Sequence, residues 1–186
     1  IRAFGDAVLR KKCQNISENY PQIKELLSNM FETMKSANGI GLAAPQIGLD
    51  IRLFIVDVSP LSDDEDYTEI AEELKDFKKV FINAKILEES GNEWKFNEGC
   101  LSIPEVREDV KRKETIVIEY LDENFVKHTE TFSDIRARVI QHEYDHIEGI
   151  LFTDHLSALK KKIVKGKLMK ISQGDVSVNY KMRFPK

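Results

Sequence analysis

The pentapeptide His142-Glu143-Tyr144-Asp145-His146 constrains this chain more than any other feature. On a helix, positions i and i+4 share a face, so two imidazoles aim at one point. Glu143, rotated by about 100°, stands beside that point without occupying it. Ile135, Val139, Ile140, Tyr144 and Ile147 supply an apolar stripe, which predicts an inward-facing helix from about Asp134 to Glu148. Ser133 is placed to cap its start and Gly149 to end it. A fold built on such a helix brings metal-type residues to its own centre. The bland alternative is a pair of core histidines on an unrelated helix, and the pattern alone names no reaction.

A catalytic metal needs a third protein ligand and an open position for water. In the metzincin pattern a third histidine follows a glycine by three residues, but Gly149 is followed by Ile150, Leu151 and Phe152. Thermolysin-like enzymes use a glutamate on a later helix, yet the stretch from Ser157 to Lys170 holds no acidic residue. The remaining candidate is Cys100, in Glu98-Gly99-Cys100-Leu101-Ser102-Ile103-Pro104. A lone cysteine is by default a small buried hydrophobe, and both readings stay open on these residues. Cys13, His128 and His155 have no such company and read as structural.

Upstream, Ile23, Leu26, Leu27, Met30, Phe31 and Met34 mark one face of a helix over Pro21–Ala37, with Pro21 in its first turn and Gly39 past its end. Gly39–Gly48 is too glycine-rich for a stable element and too apolar for an ordinary loop. Ile51–Val58, Val80–Leu87 and Thr115–Leu121 read as strands, His128 falls in a further one, and Val176–Met182 alternates like a terminal strand. An acidic insertion at about 60–79 with a short helix and a lysine-rich tail at about 157–186 complete a chain read as a single domain, 1–186. The net charge of −4 gives no global pull toward DNA or an anionic membrane. No apolar run approaches the roughly 18 residues that span a bilayer, and the first residues do not form a signal peptide, so a cytoplasmic location is expected. Two cysteines make no disulfide framework.

Three segments, Gly39-Ile-Gly-Leu-Ala-Ala-Pro-Gln46, Glu98-Gly-Cys-Leu-Ser102 and Gln141-His-Glu-Tyr-Asp-His146, together resemble the three motifs of peptide deformylases. The resemblance runs from Val8 through Asp154. It implies an α+β fold, with antiparallel or mixed strands around the central helix, and a metal held by Cys100, His142 and His146. It makes Glu143 the general acid/base and gives the oxyanion to the Gln46 side chain and the Leu101 N–H. Main-chain contacts near Ile40, Gly41 and Gly99 would hold an N-formylmethionyl nascent peptide, and Ile135 and Val139 would line the methionine pocket. Arg138 falls at a pocket-facing position that is often apolar in that family, and Glu98 is expected to pair with Arg112. The products are formate and a free amino terminus. The implied metal is Fe(II), while the same donors accept Zn(II), Ni(II) or Co(II). Ribosome docking through the basic helix is a further expectation. A zinc metallopeptidase of the same pentapeptide is the competing enzyme, and a non-catalytic metal-binding module the competing class, in which Glu143 would have no role.

Overall fold

The computed structural model describes residues 1–185. Its apolar segments form a five-stranded antiparallel meander of β1 (Gly41–Ala43), β2 (Leu53–Asp57), β3 (Lys78–Cys100), β4 (Ile103–Leu121) and β5 (Lys127–Phe132), paired in chain order. Four helices accompany it: α1 (Ile23–Ser36), α2 (Ala71–Lys75), α3 (Asp134–Ile147) and α4 (Ala158–Ser172). The α+β class expected from sequence is the class found.

Strand β2 shows why a continuous apolar run belongs in the middle of a sheet. Its side chains alternate between faces. Phe54 and Val56 pack with Ile135, Val139, Ile140 and Ile147 of α3, while Leu53 and Ile55 pack with Leu27, Met30 and Met34 of α1. Each fully buried side chain of this size is worth roughly 1.5–3 kcal/mol. A third cluster joins the hairpin residues Ile103, Val106 and Val110 to Phe152 and to Val164 and Ile171 of α4. The helix carrying the pentapeptide thus lays its apolar stripe on one face of β2, with α1 on the other.

Several local expectations change. Strands β3 and β4 run far beyond Val80–Leu87 and Thr115–Leu121, making one long hairpin that is buried towards both ends and charged and largely exposed along the middle of β3. Register shifts interrupt it, one beside Asn83, a left-handed residue whose amide clamps Ile16 by hydrogen bonds of 2.9 and 2.7 Å. The hairpin closes through Leu101-Ser102 between the paired Cys100 and Ile103. Gly39–Gly48 holds β1 and a 3-10 turn, Ala44–Ile47, both largely buried. Val176–Met182 is not a strand: it runs as an irregular segment over the hairpin turn, with Lys181 O accepting from the Ile1 amino group at 2.7 Å and the neighbouring Arg183 bridging Arg2. The acidic insertion is surface structure made of 3-10 turns and α2, pinned by the buried Leu74.

Helix ends differ in detail too. Pro21 precedes α1, whose N-cap Gln22 is left-handed. The residue that turns the chain at its C-terminus is Asn38 (φ 55°), with Gly39 N–H donating 2.9 Å back to Met34 O. Ser133 makes no capping bond; the Asp134 carboxylate instead accepts from Arg136 N–H at 2.9 Å. Gly149 does end α3: at φ 76° it lets Ile150 N–H reach Asp145 O at 2.9 Å, and a Cβ there would lie 2.7 Å from Arg10 O. Among the described residues no helix is long and apolar enough to cross a membrane.

Candidate active site

The i, i+4 spacing on α3 sets the His142 and His146 rings one turn apart, with centroids separated by 5.2 Å. The closing turn of the hairpin delivers the third group, placing Cys100 Sγ 3.3 Å from His146 Nε2. Candidate ligand atoms of Cys100, His142 and His146 all lie within 4.8 Å of one another. One thiol and two imidazoles suit a first-row divalent metal, and three protein ligands leave a position for a reactant. Burial by itself would push the Cys100 thiol up, but the His146 and His142 imidazoles beside it bring it down to about 5. The site favours the thiolate that a metal requires.

Glu98 organises this cluster from behind. Its carboxylate takes Arg112 Nε at 2.7 Å and Nη2 at 3.0 Å, Arg138 Nη1 at 3.0 Å, and lies 2.9 Å from His142 Nδ1. A carboxylate there accepts, so Nδ1 carries the proton and Nε2 is left for the cluster. Burial disfavours the charge on Glu98, yet the hydrogen bonds from His142 and Arg112 hold its carboxyl far below the usual range. The network continues outward: Arg112 Nη1 meets Asp145 Oδ2 at 2.7 Å, and His155 Nε2 lies 2.7 Å from that same oxygen.

Glu143 lies in front, buried, with Oε2 unpartnered among the described residues. Burial raises its carboxyl to about 7, against the opposing pull of His142 and His146. It fits because residue 41 is glycine: a Cβ there would overlap the Glu143 carboxylate. Gln46 completes the front. Its Oε1 accepts Ala43 N–H at 2.8 Å, which fixes the amide so that Nε2 faces Cys100 Sγ at 3.5 Å and Ser102 Oγ at 3.4 Å. A cleft of about 680 Å³ opens onto these groups.

Residues 1–162 match the family model described as polypeptide deformylase. The chain belongs to that family. A peptide deformylase of Christiangramia forsetii is 60% identical over 186 residues, covering 100% of this chain and 95% of that one. Among solved structures, the peptide deformylase of Plasmodium falciparum superposes with a TM-score of 0.81 at 31% identity, covering 94% of this chain and 95% of that chain. The one from Legionella pneumophila gives 0.78 at 34% identity, covering 94% and 95%. Deformylases are metal-dependent, and Cys100, His142 and His146 form a group here that could hold the ion.

The deformylase cleft gathers most residues singled out in the sequence: Ile40, Gly41, Gln46, Gly99, Cys100, Leu101, Val139, His142 and Glu143 line it. His146 is buried just behind. Ile135 does not line it and is corrected: it sits in the first turn of α3, away from the hairpin turn, and packs wholly into the core. Arg138 does reach the cleft wall, but as a buried group: its guanidinium stacks 4.3 Å from the Trp94 ring centroid and bonds the Trp94 carbonyl at 2.8 Å as well as Glu98. Two participants escaped sequence reasoning. Asp145, inside the pentapeptide, anchors Arg112, and Tyr180 lines the cleft from the tail. The variable position within H-E-x-x-H was a usable signal for the first; nothing in sequence flagged the second.

Proposed function

We propose that Cys100, His142 and His146 hold one divalent metal, that Glu143 is the proton carrier, and that Gln46 and the Leu101 N–H receive the oxyanion, with residues 1–186 as one catalytic domain. The reaction is that of the family: hydrolysis of the N-formyl group from the formylmethionine of a new polypeptide. The observation that carries the assignment is the buried Glu143 carboxylate, whose Oε2 has no partner among the described residues, in the same cleft as the fixed amide donor of Gln46.

When bound, the metal supplies a hydroxide nucleophile at neutral pH and polarises the formyl oxygen. Glu143 takes one proton from the attacking water and returns one to the departing amine as the formyl C–N bond breaks, so formate and a free amino terminus leave. Gln46 Nε2 and the Leu101 N–H donate where negative charge develops. Strand β1 is a sheet edge, which allows the peptide to add as a strand near Ile40 and Gly41, with Gly99 opposite. Val139 borders the methionine side chain. Main-chain recognition of this kind tolerates varied downstream sequence.

A formyl-methionyl peptide offered to metal-loaded protein tests the assignment. Stoichiometric formate release, abolished by chelation and restored by adding back Fe(II) under anaerobic conditions, is the expected result. Absence of release from folded, metal-replete protein overturns it. Fe(II) is the proposed cellular metal, with Zn(II), Ni(II) and Co(II) as substitutes, and exposure to oxygen is expected to inactivate the Fe(II) form through Cys100.

The substrate places the work in the cytoplasm, where chains are made, and α4 offers a docking face for the ribosome. Lys160 pairs with Glu108 at 2.7 Å and Lys170 with Asp175 at 3.6 Å. Lys161, Lys162, Lys165 and Lys167 make no ion pair among the described residues, which leaves them for phosphates. Ribosome co-sedimentation should weaken steeply as salt rises and fall further on charge reversal of these four. Salt-independent binding removes the proposal.

A further inference from the structure

The family model ends at residue 162, yet the cleft has a wall made of Ser177, Val178, Asn179 and Tyr180. This segment is not a loose tail. Arg183 N–H donates to Ile1 O at 2.8 Å, and Ala3 N–H donates to Arg183 O at 2.9 Å, so it is stitched to the start of the chain. Val176, Met182 and Phe184 pack against the third core cluster.

The start of the chain is in turn stitched to the active-site turns. Arg2 N–H donates to Gln46 O at 2.7 Å and Phe4 N–H to Ser102 O at 2.8 Å. The half-buried Tyr180 hydroxyl donates to Leu101 O at 2.8 Å. Leu101 is the middle of a tight turn, where one peptide plane fixes the next. A carbonyl left to water there would let the turn rock, and the N–H of the same residue would lose its aim into the cleft.

We propose that Tyr180 is a positioning residue for deformylation: through its hydroxyl bond to the Leu101 carbonyl it holds the Leu101 N–H toward the reacting carbonyl. The proposal rests on the reading of that N–H as an oxyanion donor. It adds to the reaction a residue from a segment beyond the span of the family model. Ser177, Val178 and Asn179 then serve as the fixed wall against which the downstream peptide lies.

Tyr180→Phe tests this, since it removes one hydroxyl and keeps the ring in the cleft wall. Two readouts are needed: steady-state kinetics on a formyl-methionyl tripeptide, and hydrogen exchange at the Leu101 and Ser102 amides of the Zn(II)-loaded protein by NMR. The expected result is a kcat lowered roughly 3- to 10-fold with KM within about twofold, the size of one lost hydrogen bond, together with faster exchange at those amides. Unchanged exchange and unchanged kcat overturn the role of Tyr180. Faster exchange with unchanged kcat also overturns it, and traces the failure to Leu101, whose N–H is then not the oxyanion donor. A rise in KM alone would make Tyr180 a wall residue and nothing more.

Discussion

Glu143→Gln is expected to fold, to keep its metal, and to lose about 10²–10⁴-fold in kcat for formate release. The substitution is nearly isosteric, which matters at a site so tightly bounded that residue 41 has no room for a Cβ. What disappears is the ability to carry a proton. The native carboxyl is buried, raised to about 7 by that burial, and has one oxygen with no partner among the described residues, so at neutral pH it is poised both to accept and to donate a proton. An amide in the same space can do neither. Metal content and unfolding midpoint should match the native protein. A variant that kept its metal and lost less than tenfold in kcat would remove Glu143 from the chemistry.

The largest loss of stability should follow Glu98→Ala. The Glu98 carboxylate is almost fully enclosed between Arg112, Arg138 and His142, and the Arg138 side chain is just 1% exposed. Removing it strands buried guanidinium charge, at a cost of about 3–5 kcal/mol. Because Glu98 also fixes the His142 ring, metal affinity should weaken by about 10–100-fold. Chemical denaturation at saturating metal separates the two effects, since metal binding itself stabilises the fold. The folded-state carboxyl is depressed, so its contribution is present above the ordinary carboxylate range and is lost as pH falls toward that depressed value. A Glu98→Ala protein with native midpoint and native metal affinity would show the network to be incidental.

The sequence announces the helix clearly and the hairpin poorly, and the reason is physical. On α3 a buried stripe imposes a 3.6-residue period that survives the insertion of His142 and His146. The middle of β3 buries little, so Glu88 and Glu89 show no alternation, and the length of the hairpin is set by cross-strand pairing that no local pattern records. Val176–Met182 misleads for the opposite reason: its alternation is real, with Val176 and Met182 packed inward, but no strand lies alongside to pair with it. Ile135 and Arg138 show the limit of analogy. Both sit on the right helix, yet whether a side chain meets the cleft or the core depends on its rotation about the helix axis and on which partners, here Trp94 and Glu98, claim it.

The stitching of Arg2 to Arg183, and of Tyr180 to Leu101, also bears on how the protein comes into being. The first contact closes a loop nearly as long as the chain itself and the second joins residues 79 apart, and such closures are entropically costly and form late in folding. The sheet and the pentapeptide helix can assemble from residues between 41 and 147. The cleft wall cannot. During refolding, helical signal should therefore return before catalytic competence. A chain still being synthesised lacks that wall until residue 183 has emerged.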